Sequence, residues 1–180
     1  MTSLVKHLSL GDLEAGLDGI RRSPKDDGVL EMIVRRPQVG VREMVEEGEL
    51  DTARGLVGDS WSTRRNPDPD AQLTLMNARL IALVAGGRER WGLAGDQLFV
   101  DLDLSVANLP PGARLAIGSA LIEITPEPHT GCRKFVSRYG LDAMTFVNSP
   151  LGRELRLRGV NARVVHGGAI RRGDVVSISG

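Results

Sequence analysis

The single cysteine of this 180-residue chain, Cys132, lies in Thr125-Pro126-Glu127-Pro128-His129-Thr130-Gly131-Cys132-Arg133-Lys134-Phe135. A strand reads as ending at Thr125, two prolines force an extended loop, and Gly131 gives backbone freedom immediately before the thiol. A helix can begin just after it. A thiol at a helix start faces unpaired N–H groups and, here, two adjacent cations, all of which favour thiolate. Thiolate is the form that attacks sulfur or binds a soft metal. The competing reading is an inert buried cysteine packed as a small hydrophobe. The Pro/His/Gly loop with Arg and Lys following favours the reactive one. His129, three residues before the thiol, is placed to shuttle protons or to join a metal site. His-x-x-Cys nevertheless offers only two ligands, and no further His or Cys cluster completes a set. A Cys–His nucleophile for acyl transfer is a third use of the pair; it needs an oxyanion hole that sequence does not show.

Other chemistry-bearing residues read more plainly. Neither Gly-x-Gly-x-x-Gly nor a Walker-type phosphate loop occurs, so those nucleotide sites are absent. Gly58-Asp59, Gly95-Asp96 and Gly173-Asp174 read as turns. Asp101 and Asp103 share one strand face, either as a carboxylate pair or as a solvent face with Leu102 and Leu104 inward. His7 and His166 read as surface or turn positions. The few scattered aromatics make no base-stacking platform.

The elements that must position these residues follow from patterning. Residues 1–28, with Gly11, Gly16, Gly19, Pro24 and Gly28, read as an irregular lead-in to a domain over 29–180. Val29 to Arg36 is a strand ended by Pro37, and Val41 to Glu47 has the apolar spacing of a short helix before Gly48. Gly55 to Ser60 is a turn, and Arg64 to Asp70, with two prolines, is an exposed loop. Asn77 is a good N-cap for a helix over Ala78–Ala85, stopped by Gly86-Gly87. Gln97 to Leu104 reads as a strand. Arg114–Ile117 and Ala120–Ile124 form a hairpin whose Gly118-Ser119 loop suits a type II′ turn. Arg133 to Tyr139 and Leu141 to Val147 can each make about two helical turns. Asn161–Val165 and Asp174–Ile178 are further strands, separated by turns at Gly167-Gly168 and Arg172-Gly173. Short strands with glycine turns and a few helices place the chain in a mainly β class with short helices (α+β), a barrel or sandwich over a doubly wound sheet.

Charge narrows the ligand. The 23 basic and 23 acidic side chains cancel, which argues against a nucleic-acid clamp. No apolar run of about 18 residues spans a membrane, and the first residues lack the long apolar stretch of a secretion signal, so a cytoplasmic location is expected. One cysteine excludes an internal disulfide framework and a Cys-rich structural zinc site. After Cys132, nine basic side chains face three acidic ones. A neutral chain polarised in this way suits a small anionic ligand near its C-terminal half.

The order and spacing of several blocks resemble the MOSC family, named for the C-terminal domain of molybdenum-cofactor sulfurases. The blocks are Gly55-Leu56-Val57-Gly58-Asp59 with Gln72-Leu73-Thr74-Leu75-Met76, then Leu109-Pro110-Pro111-Gly112-Ala113-Arg114-Leu115-Ala116-Ile117-Gly118 leading into Leu121-Ile122-Glu123-Ile124-Thr125. Cys132-Arg133-Lys134 comes next, followed by Gly159-Val160-Asn161-Ala162-Arg163-Val164 and Gly168-Ala169-Ile170-Arg171-Arg172-Gly173-Asp174-Val175-Val176. The resemblance runs from about Val29 to the C-terminus. It implies a β-barrel-like core and one functional cysteine, which maps onto Cys132. That thiol would ligate molybdenum in a bound pterin cofactor (molybdopterin) or carry sulfane sulfur as a persulfide. His129, from its place three residues before the thiol and not from the resemblance, is the second candidate catalytic residue. The chain would then be a small molybdoenzyme reducing N-hydroxylated compounds, or a sulfur-transfer protein. Arg133, Lys134, Arg138, Arg158 and Arg163 would serve the pterin phosphate, with Thr130, Gly131 and Asn161 completing the cofactor contacts. An electron-donor protein or a separate pyridoxal-phosphate cysteine desulfurase would be the partner, with no nucleic acid and no membrane involved. Two departures from the family pattern stand out: Gly131 replaces the common proline before the cysteine, and Gly95-Asp96-Gln97 replaces its usual Glu-Asn block. The alternative from another class is a non-catalytic module that uses the same barrel to bind a small anion or a protein.

Overall fold

Alternation of apolar residues builds two hydrophobic layers, one on each side of a closed sheet. The computed structural model describes residues 5–180. Its strands are β1 (Gly28–Arg35), β2 (Glu43–Val45), β3 (Glu47–Asp51), β4 (Gly55–Leu56), β5 (Leu73–Asn77), β6 (Leu98–Asp101), β7 (Arg114–Ile117), β8 (Ala120–Ile124), β9 (Val160–His166), β10 (Gly168–Arg171) and β11 (Val175–Ser179). The helices are α1 (Leu10–Ala15), α2 (Leu17–Arg21), α3 (Ala78–Ala85), α4 (Arg133–Tyr139), α5 (Leu141–Asn148) and α6 (Pro150–Glu154). Seven strands close in the order β11-β7-β8-β9-β5-β6-β1, with β1 returning to β11, and β2 extends β1 outside the ring. The expected α+β class with a β-barrel is the observed one. Closure leaves the ring no free edge, so its backbone N–H and C=O groups find partners within the sheet.

Leu75, Leu98, Val100, Ile122, Val160 and Val176 point inward and fill the barrel. Their neighbours Met76 and Phe99 point outward beneath the helices, with Phe135, Tyr139 and Phe146. In β1 the alternation slips at a bulge between Leu30 and Met32, so that Leu30 and Ile33 both face the barrel while Met32 and Val34 face the helices. β5 and β6 are parallel, joined across α3. Asn77 caps α3 as expected, its Oδ1 accepting from Leu80 N–H at 2.9 Å, and Gly86 ends the helix at φ +80°. Gly118 has φ +55° and Ser119 does not share a positive φ, which fits the II′ hairpin turn. None of the described helices is long and apolar enough to cross a membrane.

Four expectations are corrected. The first is the turn over Gly55 to Ser60: Gly55 and Leu56 pair with Asp51 and Leu50 as β4, and only the remainder turns. Val41 to Glu47 is not helical: Met44 and Val45 pair with Val34 and Ile33, and β3 pairs with β10. Here pairing with distant strands overrides a local helical spacing. For the same reason Gly167-Gly168 is not simply a turn, since Gly168 begins β10. The lead-in is not irregular over its described part. Ser9 Oγ accepts from Asp12 N–H to start α1, and Leu13 and Ile20 are buried in the outer layer. The lead-in's first four residues lie outside the described ones.

Candidate functional site

The loop between β8 and α4 is tied down before it reaches the cysteine. Thr125 N–H donates to Asn161 O at 3.0 Å, and Asn161 Nδ2 reaches the Glu127 and Pro128 carbonyls at 3.1 and 3.3 Å. Gly131 N–H donates to Asn148 Oδ1 at 2.8 Å while Asn148 Nδ2 donates back to Gly131 O at 3.3 Å. Cys132 follows as the extended N-cap of α4, with an exposed side chain. Partial burial pushes its thiol up, but the N–H groups of Phe135 and Lys134, with the charges of Arg158 and Lys134, outweigh that. The net position is below the ordinary cysteine value.

The thiol opens on a cleft of about 740 Å³ shared with His129, Arg36, Arg42, Arg64, Lys134, Arg138 and Arg158. Two of these cations are neutralised from beneath. Arg36 donates through Nε and Nη2 to the two carboxylate oxygens of Asp59, at 2.9 and 2.8 Å, and Arg158 Nη1 meets Asp96 Oδ2 at 2.6 Å. Among the described residues, Arg42, Arg64, Lys134 and Arg138 have no carboxylate within ion-pair distance. Burial, and then the charges of Arg138 and Arg36, pull Arg42 below its usual guanidinium value. The positive charges crowd one another, and an anion would relieve them.

Asp96 is fully buried at the back of this cleft. Burial pushes its carboxyl up, but the Arg158 and His129 charges overcome that and hold it down at about 2. His129 Nε2 stands 3.2 Å from Asp96 Oδ1, but neither atom has a partner aligned well enough for a hydrogen bond. Gly159, at φ +119°, borders this arrangement: a Cβ there would lie 2.4 Å from the Leu75 carbonyl oxygen, the contact that requires glycine, and 3.2 Å from the His129 ring.

Of the residues expected at the site, Cys132, His129, Lys134, Arg138 and Arg158 converge on the cleft. Thr130 and Asn161 line a smaller cavity of about 220 Å³ behind the loop, which His129 and Arg158 also border. Gly131 is held by Asn148. Arg133 is exposed outside the cleft lining. Arg163 lies on β9 with its guanidinium on Glu123 at 2.6 Å, a carboxylate it shares with Arg114. Asp101 pairs with Arg79 and Asp103 with Lys25, so they are not a carboxylate pair.

Sequence reasoning missed Arg36, Arg42 and Arg64, because the charge asymmetry drew attention to the C-terminal half. It read the Gly58-Asp59 and Gly95-Asp96 steps as turns, which the left-handed backbone of Gly58 (φ +88°) and Gly95 (φ +87°) bears out, but it missed that Asp59 and Asp96 are also buried counter-ions. Their Gly-Asp steps carry no signal separating them from Gly173-Asp174, where the carboxylate accepts from Arg171 N–H at 2.7 Å and, among the described residues, pairs with no cation. Among the described residues no group of three or more His, Cys, Asp or Glu side chains could hold a metal. Any metal bound at Cys132 must therefore arrive with most of its coordination supplied by its own cofactor.

Solved structures share this fold. The YuaD protein from Bacillus subtilis superposes with a TM-score of 0.60 at 18% identity, over 84% of this chain and 95% of that one. YiiM from Escherichia coli gives 0.55 at 19%, over 84% and 70% of the two chains. YiiM from Geobacillus stearothermophilus gives 0.55 at 15%, over 86% and 73%. No protein-family model matches the chain, and no curated protein matches it in sequence.

Proposed function

We propose that this chain is a MOSC-type protein whose Cys132 either ligates the molybdenum of a pterin cofactor or carries sulfane sulfur. The observation that carries this reading is an exposed thiol, biased toward thiolate, opening on a cleft with four cations that no carboxylate neutralises. The resemblance of the sequence blocks and the shared fold support it. The residues suit such a group. The lone thiolate supplies one soft ligand, and the excess positive charge suits a phosphorylated, anionic cofactor. Arg42, Arg64, Lys134 and Arg138 would hold the phosphate, while Arg36 and Arg158, fixed by Asp59 and Asp96, would shape the floor. His129 would move a proton at the thiol's side of the cleft. When bound, the cofactor would supply a redox-active metal for the reduction of N-hydroxylated compounds with two electrons from a donor protein. Without it, the Cys132 thiolate would attack the outer sulfur of a desulfurase partner's persulfide, forming a new S–S bond as the partner's S–S bond breaks and its thiolate leaves.

Expression in a host that makes the cofactor, followed by metal analysis and cyanolysis for labile sulfur on wild type and Cys132→Ser, tests the proposal. Molybdenum or sulfane sulfur that disappears in Cys132→Ser supports it and separates its two branches. Neither in wild type, or equal amounts in both proteins, overturns it and leaves the anion-binding module.

A further inference from the structure

Asn161 ties down the start of the Cys132 loop, and a second amide side chain, that of Asn148, holds the residue immediately before the thiol. Asn148 is the last residue of α5, and its oxygen accepts the Gly131 N–H at 2.8 Å while its nitrogen donates to the Gly131 carbonyl at 3.3 Å. Both hydrogen-bonding groups of Gly131 are thus taken by the same side chain, as a neighbouring strand would take them. The residues around the anchor are closely packed. Phe146 and Val147, just before Asn148, are buried. Gly152 of α6 packs so closely on the end of α5 that a Cβ there would lie 2.3 Å from the Phe146 carbonyl oxygen. Position 131 is shaped for the contact. A Cβ on Gly131 would stand 3.3 Å from both amide atoms of Asn148 and 3.2 Å from Met144 Cγ. A proline there would lack the N–H that Asn148 accepts.

We propose that Asn148 is the positioning residue of Cys132: by gripping Gly131 through both backbone groups it aims the thiol into the cationic cleft. The inference rests on Cys132 being the reactive group, but not on what that group carries.

Two measurements on the protein free of metal and of sulfane sulfur test it. The first is hydrogen exchange of the Gly131 amide by NMR, in wild type and in Asn148→Leu. Wild type should be protected, and the variant should exchange about tenfold faster or more, as loss of one good hydrogen bond implies. The second is the ratio of Cys132 reaction rates with two disulfides, the dianionic dithiobis-nitrobenzoate and the neutral dithiodipyridine. The fraction of thiolate and any global loosening act on both rates and cancel in the ratio. Proximity of the thiol to the cleft cations does not. Wild type should prefer the anionic reagent, and Asn148→Leu should lose about threefold or more of that preference with a Tm within about 3 °C of wild type. Where Asn148→Leu fails to fold, Asn148→Ser carries the same comparison. An unprotected Gly131 amide in wild type, or an unchanged ratio once protection is lost, overturns the proposal. A ratio that falls in a protein that binds neither molybdenum nor sulfur upholds the clamp while the proposed function fails.

Discussion

Asp96 meets Arg158 at 2.6 Å with its carboxylate wholly removed from solvent, and the pair braces both flanks of the Cys132 loop. The second carboxylate oxygen faces His129, three residues before the thiol. The Arg158 guanidinium carbon stands 5.2 Å from the ring centre of Phe135, three residues after it. Arg158 also donates to Ala94 O at 2.9 Å. One buried acid therefore connects the strand order of the barrel to the geometry of the cleft.

Removing one partner strands the other. Asp96→Asn leaves the Arg158 charge buried without a counter-ion and should lower stability by about 3 kcal/mol in urea unfolding. The double change Asp96→Leu with Arg158→Met should lose less than the sum of its single changes, because it leaves no unpaired charge. Additive losses would show that the ion pair does not couple the two residues.

Acid should weaken the protein through the same carboxylate. Asp96 lies at about 2 in the folded protein against 3.8 for a free aspartate. Its ionised form therefore stabilises the fold above about 4, and that contribution is lost as the pH falls through about 2. The loss is on the order of 2 kcal/mol. Urea unfolding from pH 5 to about pH 2 should show a shallower pH slope for Asp96→Asn than for wild type; identical slopes would place the acid sensitivity elsewhere, for example at Asp59, which is also held low.

The Cys132 thiol should be alkylated by iodoacetamide with a pH midpoint below that of free cysteine, since the Phe135 and Lys134 N–H groups and the Arg158 and Lys134 charges outweigh partial burial. Lys134→Gln should move the midpoint up, toward the ordinary value, and added salt should do the same in wild type. A midpoint equal to that of a free cysteine peptide would contradict the electrostatics described.

Anions should stabilise the wild type. With pyrophosphate as the probe, saturation to about 100 times its Kd should add about 2.7 kcal/mol to the unfolding free energy. Arg42→Ala with Arg138→Ala should abolish most of that gain. Arg163→Ala should keep it and change stability by less than about 1 kcal/mol, because its guanidinium sits on Glu123 away from the cleft. A loss of pyrophosphate binding in Arg163→Ala would move the anion site to the outside of β9.

Residue patterns were enough to determine where six of the eleven strands run, the cap and stop of α3, the bounds of α4, and the placing of Cys132 between a Pro-rich loop and a helix. Those features depend on neighbours within a few positions: a period of two, an Asn before a helix, a Gly after it, a Gly first in a hairpin loop. α1 also starts on a local cap, that of Ser9, which the pattern reading passed over. Barrel closure and the strands at Glu43–Val45, Glu47–Asp51 and Gly168–Arg171 were instead decided by partners far along the chain. The cleft belongs to that second kind. Arg36, Arg42 and Arg64 reach Cys132 only because the barrel carries the N-terminal half around to it. Asp59 and Asp96 could pass for turn residues until burial, which a local pattern cannot register, made each the counter-ion of an arginine.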